Sequence, residues 1–511
     1  MKRALLSVSD KTGIVEFATG LVSNGYEIIA TGNTKRIIDE AGIVTISVED
    51  VTNFPEMLDG RVKTLHPLIH GGLLGVRDNE NHIKQMNDLG IKNIDLVCVN
   101  LYPFKETILK PDCTFEMAIE NIDIGGPSML RSAAKNFKFV TVVTDVTDYD
   151  NVLDEISKFG DTTLETRSAL AAKVFRLTAA YDTLIQDYLT KNISNDYQEK
   201  LSLSYDLKQT LRYGENPHQS AAFYTEYKDY AYSLASATQL HGKELSYNNI
   251  QDANATLQML REFKGTPCVV AVKHMNPSGV GIGENLMEAW LKAYNSDSVS
   301  IFGGLIATNQ KVTLDVAELM NKIFLEVIMA PEYSEEAYEL LSKKKNIRLL
   351  TIKTDGEDPK QSIVSVTGGL LVQDDDSTNA TVEDLKFVTE IKPANQGMID
   401  DMLFGEKVCK HVKSNAIILV KDGATVGIGA GQMNRVGAAK IALEQAGEKA
   451  KGSVLISDAF FPFDDTVSLA GEYGISAVLQ PGGSIRDEDS IKKCNELSIS
   501  MAFSGLRHFK H

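Results

Sequence analysis

Short apolar runs alternate with helical patterns along the first 145 residues of the chain. The runs are rich in aliphatic and β-branched residues and lie at residues 4–8, 27–30, 44–46, 95–99 and 139–143. Strands that alternate with helices are typical of βαβ units, so this pattern predicts an α/β domain with a mostly parallel sheet. Apolar residues at helical spacing between residues 162 and 190 predict one long helix, packed on the sheet or on a partner.

A polar stretch from Lys191 to Glu199 is the best candidate for a linker. A chain of 511 residues is too long for one hydrophobic core, because cores stop growing at roughly 250 to 300 residues. We therefore predict two domains, which comprise residues 1–199 and 200–511.

The second domain again shows alternating strand and helix patterns, over longer units. Buried strands are predicted at residues 266–274, 298–308 and 453–457. Two further strands are predicted between Asn415 and Gly431, joined at Asp422-Gly423, because glycine tolerates the positive φ of a tight hairpin turn. The run from Asp374 to Asp376 is predicted to be a solvated loop.

Charge and composition exclude several classes of protein. The formal net charge of −17 disfavours nucleic acid as a partner, because binding to the phosphate backbone depends on clustered Lys and Arg. No apolar run approaches the ~18 residues that cross a bilayer, so we expect a cytoplasmic protein without a membrane segment. The five cysteines form no C-x-x-C pair, which argues against a disulfide framework and a zinc knuckle and favours core thiols.

Two segments of the first domain have the position of a phosphate site. Ser9 to Gly13 and Thr31 to Thr34 each follow a predicted strand and open a helix. Free backbone N–H groups and the helix dipole favour an anion at such places. Ordinary helix capping by Ser, Asp or Thr is the alternative for each segment.

Three other segments of the first domain carry groups suited to catalysis. Gly60 to Pro67 holds Arg61 and Lys63, and a solvated loop is its alternative interpretation. His66 and His70 are four residues apart, but Pro67 separates them and no third ligand is evident, so no metal site is predicted.

A Tyr, an Asp and a Lys could exchange protons with a substrate if burial and neighbours shift their pKa values. Tyr102 follows a buried strand, Asp123 precedes a helix, and Lys135 lies on that helix. For Lys135 the alternative is an ordinary surface lysine.

In the second domain, Lys273 and His274 stand where a strand must end, shortly before Pro277. A histidine can act as a general base near pH 7, and a neighbouring lysine can stabilise a developing oxyanion. A core histidine is the alternative. The segments 211–218 and 457–463 supply an arginine and an aromatic wall, or else a turn and a core edge.

Nucleotide-loop motifs are not found. Gly427 to Gly431 ends a predicted hairpin strand and does not match G-x-G-x-x-G, and the sequence contains no G-x-x-x-x-G-K-[ST]. The sequence therefore predicts neither ATP nor NAD as a cofactor.

Taken in order from Ser7 to His511, these segments resemble one family, the bifunctional phosphoribosylaminoimidazolecarboxamide (AICAR) formyltransferase/IMP cyclohydrolases. The resemblance is carried by SVSDKTG, GRVKTLHP, NLYPF, IDIGG, LRYGENPHQ, KHMNP, GIGAGQ, SDAFFPF and LRHFKH. It implies a cyclohydrolase domain similar to methylglyoxal synthase, followed by a formyltransferase region of two subdomains similar to cytidine deaminase. It also implies a homodimer with formyltransferase sites formed between subunits.

The resemblance further implies two reactions, namely formyl transfer from 10-formyltetrahydrofolate to the 5-amino group of AICAR, and closure of formyl-AICAR to IMP with loss of water. In formyl transfer, His274 would take the amine proton while Lys273 stabilises the developing charge. In ring closure, Lys135 would shuttle protons, with Lys63, Tyr102 and Asp123 around the closing ring.

The resemblance also implies the residues that bind the ligands. In the first domain, the nucleotide would contact Ser9, Asp10, Lys11, Thr31, Gly32, Asn33, Thr34, Arg61, Thr64, Asn100 and Ile124. In the second domain, AICAR would contact Arg212, Tyr213, Gly303, Glu326, Asn415, Arg435, Phe460 and Arg507. The folate would contact Val436, Asp465, Ser484 and Ile485.

The chain departs from the family pattern in places. Ser278 stands where many relatives have Cys, and Glu326 stands where some have Asp. The H-x-E and P-C-x-x-C zinc signature is absent, so zinc is not expected, while a monovalent cation is a possible ligand. Two other functions compete, namely a phosphate-handling lyase like methylglyoxal synthase and a nucleotide-sensing regulatory module, each with an unrelated C-terminal domain.

Overall fold

The computed structural model of the chain describes residues 1–193 and 197–511. The chain forms two compact units, Met1–Tyr205 and Asp206–His511. Of the predicted linker, Lys191 is the last residue of a helix. Ser194, Asn195 and Asp196 lie outside the described residues.

The first unit alternates strands and helices. Its strands are β1 (Lys2–Val8), β2 (Tyr26–Ala30), β3 (Thr45–Ser47), β4 (Leu96–Asn100) and β5 (Thr141–Val143). Its helices are α1 (Ile14–Ser23), α2 (Gly32–Glu40), α3 (Val48–Thr52), α4 (Pro67–Leu74), α5 (Glu80–Asp88), α6 (Phe104–Ile108), α7 (Phe115–Glu120), α8 (Gly125–Lys135), α9 (Tyr149–Phe159) and α10 (Leu164–Lys191). Two short 3₁₀ turns lie at Leu58–Gly60 and Val146–Asp148.

The five strands of this unit form one parallel sheet in the order β3-β2-β1-β4-β5. Its central strand, β1, contains the continuous apolar run 4–6, which is fully buried. Such runs are typical of parallel strands that helices cover on both faces. The predicted parallel sheet and the predicted long helix are confirmed, and α10 packs on the sheet through Leu170, Ala171 and Val174.

The second unit has sixteen strands and eight α-helices among the described residues. Its strands are β6 (Asp206–Leu211), β7 (Ala221–Thr225), β8 (Thr238–His241), β9 (Cys268–Lys273), β10 (Asn276–Ile282), β11 (Leu305–Thr308), β12 (Val327–Ala330), β13 (Arg348–Thr351), β14 (Gln361–Val366), β15 (Gly369–Asp374), β16 (Lys386–Phe387), β17 (Ile417–Lys421), β18 (Ala424–Gly429), β19 (Val454–Ser457), β20 (Ala477–Gln480) and β21 (Ser500–Phe503). Its helices are α11 (Tyr247–Leu260), α12 (Leu286–Ser296), α13 (Leu314–Asn321), α14 (Glu335–Ser342), α15 (Gln396–Cys409), α16 (Arg435–Ala446), α17 (Asp465–Glu472) and α18 (Asp487–Glu496). Three 3₁₀ turns lie at Arg261–Phe263, Val382–Asp384 and Gly447–Ala450.

Twelve of these strands form one sheet, and its centre is made of two similar halves. Its order is β16-β21-β20-β19-β17-β18-β10-β9-β11-β12-β13-β8. One half has the order β10-β9-β11-β12-β13 and the other the order β18-β17-β19-β20-β21. In each half an antiparallel hairpin precedes three parallel strands. This duplication agrees with the two subdomains expected for the C-terminal region.

Two local predictions were correct only in part. Residues 298–304 form turns, and only Leu305–Thr308 is a strand, because the Asp297 carboxylate accepts hydrogen bonds from the N–H groups of Val299 and Ser300 and closes a turn. In the predicted solvated loop at 374–376, Asp374 and Asp376 are exposed, but Asp374 ends β15 and the other two carboxylates are held by ion pairs. Asp375 pairs with Arg261 at 2.6 Å, and Asp376 pairs with His508 at 2.8 Å.

All five cysteines are free thiols, and four of them are buried, whereas Cys113 is partly exposed. Within the described parts of the chain, no helix is both long enough and apolar enough to span a bilayer.

His508 gives the second unit a predictable response to pH. Its Nδ1 lies 2.8 Å from Asp376 and its Nε2 lies 3.3 Å from Glu406. Burial alone would lower the pKa of His508, but the two carboxylates outweigh burial and raise it from 6.5 to about 9. Because the folded state binds the proton more tightly, this stabilisation is complete below pH 6.5 and is lost as pH rises through 9.

We therefore expect the melting temperature of the wild type to fall between these pH values, and that of His508→Gln to lack this fall. The corresponding loss in the free energy of unfolding is on the order of 1 to 3 kcal/mol. Calorimetry of both proteins across this range measures the difference. Parallel curves for the two proteins would contradict the prediction.

Candidate active sites

A cavity of about 730 Å³ opens in the first unit. It lies beyond the carboxyl ends of β1, β2 and β4, where ligands of parallel α/β sheets usually bind. Thirteen of the residues singled out in the sequence line it. They are Ser9, Lys11, Thr31, Gly32, Asn33, Thr34, Arg61, Lys63, Thr64, Asn100, Tyr102, Asp123 and Ile124.

The loop after β1 is held in place by Asn100 at the end of β4. The Asn100 Oδ1 accepts hydrogen bonds from the N–H of Ser9 at 2.5 Å and of Asp10 at 3.0 Å, and its Nδ2 donates to the Asp10 carbonyl at 2.9 Å. The Thr34 hydroxyl bonds to the backbone of Val8. The polar loops after β1 and β2 are therefore fixed side by side.

Three cations line the cavity, and each has a partner. The Lys63 Nζ lies 2.9 Å from Glu56, and Arg61 pairs with Glu120. The Lys11 Nζ donates to the carbonyl oxygens of Val8 and Ser9, and burial lowers its pKa. These groups supply positive charge at a wall that also contains the first residues of α2 and α8, so the cavity suits an anionic ligand.

Asp123 is the acid of the cavity. Its Oδ1 accepts a hydrogen bond from the Gly126 N–H at 2.8 Å, and its own N–H donates to the hydroxyl of Tyr181 at 2.8 Å. Burial raises the pKa of the Asp123 carboxyl, while backbone N–H groups, including that of Tyr102, oppose part of this shift. A carboxylate with a raised pKa accepts a proton more readily, which suits a general base.

Two predicted residues of the first unit do not line the cavity. Asp10 is exposed and bonds to Thr12, and Lys135 is an exposed residue at the far end of α8 from Asp123. The sequence did not single out Glu56, Glu120 or Tyr181. Each lies outside the segment that contains its partner, which is Lys63, Arg61 or Asp123 respectively.

His66 and His70 have structural contacts. The Nδ1 of His66 accepts the Leu68 N–H and caps α4, and the Nδ1 of His70 bonds to the Ser132 hydroxyl at 2.9 Å. Across the residues that the structure describes, no cluster of three or more His, Cys, Asp or Glu could hold a metal.

In the second unit, the sheet register brings Lys273 and three other predicted residues to one edge. Lys273 ends β9 and pairs with Asn276, the first residue of β10. The first residue of β11 pairs with β9 next to Lys273 and with the first residue of β12. Gly303 and Glu326 therefore lie at the same edge as Lys273 and His274. The Lys273 Nζ donates to the Phe302 carbonyl at 3.0 Å.

The other half of the sheet adds its residues to this edge. The start of β17 pairs with the ends of β18 and β19, and the end of β10 pairs with the start of β18. Asn415, Phe460 and the loop to Arg435 therefore lie along the edge that carries the start of β10. The N–H of Lys413 donates to Asn276 at 3.3 Å and joins the two halves.

His274 stands in a tight turn at this edge. His274 and Met275 connect β9 to β10, with φ of 52° and 62°, and the His274 side chain is exposed. Pro277 begins no new element but lies within β10. The strand end that the sequence predicts is confirmed. The structure also shows that the chain returns at once as the antiparallel strand β10, which the sequence did not predict.

Several predicted ligand residues are already paired. Arg435 is buried and pairs with the buried Asp458, and it also donates to the Ala416 carbonyl at 3.2 Å. Glu326 accepts a hydrogen bond from the Asn249 amide at 2.9 Å and faces Arg348 at 3.7 Å. The sequence did not single out these partners.

The remaining predicted ligand residues are less constrained. Arg212 and Arg507 are exposed and stack over the rings of Tyr213 and Phe509, at 5.8 and 4.8 Å from the ring centres. Ser484 belongs to a turn that Asp487 holds, and Ile485 is fully exposed. Val436, Phe460 and Asp465 lie at or near the starts of α16 and α17.

The fold and these two sets of residues are those of an α/β enzyme with a candidate site in each unit. Residues 133–445 match the family described as AICARFT/IMPCHase bienzyme, and residues 13–128 match the MGS-like domain. The chain belongs to the AICARFT/IMPCHase family of bifunctional enzymes.

Curated relatives match over their whole length. The proteins named "Bifunctional purine biosynthesis protein PurH" from Bacillus mycoides, Lactobacillus acidophilus and Anoxybacillus flavithermus are each 58% identical to this chain, with 100% of both chains covered. Among solved structures, the crystal structure of ForH is 39% identical over 37% of this chain and 99% of its own, with a TM-score of 0.34.

Proposed function

We propose that this chain catalyses the last two steps in the synthesis of a purine nucleotide. It transfers a formyl group from 10-formyltetrahydrofolate to AICAR, and it closes the resulting formyl-AICAR to IMP. The observation that carries this proposal is the 58% identity to curated bifunctional relatives over the full length of both chains. The two separate sets of polar residues, one in each unit, agree with two chemistries.

Formyl transfer is assigned to the edge of the second unit that carries Lys273 and His274. The 5-amino nitrogen of AICAR attacks the formyl carbon, and the imidazole of His274 accepts the amine proton. The ammonium of Lys273 stabilises the oxyanion of the tetrahedral intermediate, a contribution of about 3 to 4 kcal/mol for one donor. The bond from carbon to N10 then breaks, and N10 takes a proton, which leaves tetrahydrofolate.

Ring closure is assigned to the cavity of the first unit. The carboxamide nitrogen of formyl-AICAR attacks its own formyl carbon and loses one proton to the formyl oxygen. The resulting hydroxyl then leaves as water with the proton of the formamide nitrogen, so that a C=N bond forms to that nitrogen. Asp123 accepts a proton from the carboxamide nitrogen, which its raised pKa favours. Lys63 and Tyr102 line the same cavity and stabilise the developing oxyanion, while the phosphate lies against the loops after β1 and β2.

Three further properties stay predictions that rest on the family resemblance. The protein works as a homodimer whose formyltransferase sites include residues of both subunits. A monovalent cation binds the protein, and Lys135 shuttles protons in ring closure. A cytoplasmic location rests on the sequence alone.

One assay tests the proposed function. Purified protein is mixed with AICAR and 10-formyltetrahydrofolate, and the products are separated by chromatography. We expect formyl-AICAR as a transient and IMP as the final product. A protein that binds nucleotide without turnover, or that only releases phosphate from a triose phosphate, would instead support the regulatory or the lyase hypothesis.

A further inference from the structure

The turn that displays His274 has an unfavourable sequence for its conformation. Both central residues of the β9–β10 turn have positive φ, and the flanking Lys273 and Asn276 are paired. Turns of this kind favour Asn-Gly or Asp-Gly, because a Cβ atom at positive φ crowds the backbone. His-Met must therefore be held in this conformation by something outside the turn.

Asp252 on α11 supplies that support. Its Oδ1 accepts a hydrogen bond from the Met275 N–H at 2.7 Å, and its carboxylate also interacts with the backbone N–H of His274. Burial raises the pKa of Asp252, whereas these N–H groups and the charge of His274 lower it and Glu326 raises it again. Lys273 and Arg348 are two further charged residues at this edge, and Lys413 joins it from the other half of the sheet.

The second half of the sheet contains the same arrangement with a different turn. Asp401 on α15 accepts hydrogen bonds from the N–H groups of Asp422 and Gly423, at 2.9 and 2.7 Å. These residues close the β17–β18 hairpin with φ of 54° and 70°. The Asp-Gly turn lies at the opposite edge of the sheet, away from the predicted ligand residues. The two halves of the sheet thus differ in their turns. The β17–β18 turn has a favourable Asp-Gly sequence, whereas the equivalent β9–β10 turn at the opposite edge carries the imidazole of His274.

We infer that Asp252 is a positioning residue for formyl transfer. Its carboxylate fixes the strained turn so that the imidazole of His274 is presented at the edge of the sheet. Its negative charge also stabilises the protonated form of that imidazole, which is produced when the amine proton is transferred to it. Asp252 takes no proton itself, and the bonds that form and break are those of the proposed transfer. The inference therefore rests on the proposed function of His274.

The test compares Asp252→Asn with Asp252→Ala in the full-length protein. Asparagine keeps an oxygen that accepts the backbone N–H groups but removes the charge. We expect Asp252→Asn to lower kcat for formyl transfer about tenfold, with KM for AICAR within about twofold, and to move the acid limb of the kcat/KM profile about one pH unit lower. Asp252→Ala, which also frees the turn, is expected to lower kcat about a hundredfold or more.

Asp401→Asn is the matched control, because it makes the same chemical change at the equivalent turn. We expect Asp401→Asn and Asp252→Asn to lower the melting temperature by similar amounts. Asp401→Asn is expected to leave kcat for formyl transfer and its pH profile unchanged. The inference is overturned if Asp252→Asn retains the wild-type kcat and pH profile, or if only KM rises. If Asp252→Ala does not fold, Asp252→Asn decides alone. The proposed function fails separately, if wild-type protein does not formylate AICAR or if His274→Ala does so at the wild-type rate.

Discussion

Replacing His274 by alanine is expected to lower formyl transfer about 10²- to 10⁴-fold, while ring closure of supplied formyl-AICAR stays within about twofold of wild type. The amine of AICAR is a weak nucleophile because its lone pair is conjugated with the ring and the carboxamide. Without an imidazole to accept its proton, the tetrahedral intermediate returns to reactants. Initial rates with AICAR and 10-formyltetrahydrofolate measure formyl transfer, and initial rates with formyl-AICAR alone measure ring closure.

An equal loss of both activities in His274→Ala would contradict the division of labour between the two units. Thermal melting of the variant tests whether a loss of activity comes from unfolding and not from loss of the imidazole. His274 is exposed, so its removal costs little packing, and the melting temperature is expected to stay close to that of the wild type.

Asp123→Asn is expected to produce the opposite pattern. The amide of the substituted side chain would keep an oxygen that accepts the Gly126 N–H but could not take a proton. Ring closure should fall by about 10² or more, and formyl transfer should remain within about twofold. The two variants therefore act as controls for each other, and formyl-AICAR should accumulate only in this one.

The pH dependence of ring closure provides a second measurement for Asp123. Burial raises the pKa of its carboxyl, so the wild-type rate should rise with pH through a limb above the ordinary range of an aspartate. Ring closure that is as fast in Asp123→Asn as in wild type, with the same limb, would assign the base to another residue.

The features predicted from the sequence are those that neighbouring residues determine. The parallel sheet of the first unit follows from apolar runs between helical patterns, and the β17–β18 hairpin follows from Asp422-Gly423, whose chemistry is local. The loops that line the cavity could be placed because the carboxyl ends of parallel strands share one edge.

What the sequence did not reveal depends on contacts between distant segments. Tyr181 orients Asp123 from a helix whose pattern indicates only packing, and Asp458 pairs with Arg435 from the end of another strand. The turn at His274 has no turn-forming sequence. Its conformation depends instead on the hydrogen bond to Asp252 from a distant helix, which no local pattern reveals. Lys135 was placed by the family resemblance on the helix that follows Asp123, but the resemblance does not determine which way its side chain faces.

The two hairpins of the larger sheet differ in when they can form during folding. The β17–β18 hairpin carries a favourable turn in its own sequence, so it can close early from local information. The β9–β10 hairpin lacks such a turn sequence, so we expect it to close stably only after α11 has packed and brought the Asp252 carboxylate to the turn. On the proposed role of His274, we therefore expect a nascent or partly unfolded chain to lack the geometry that formyl transfer requires.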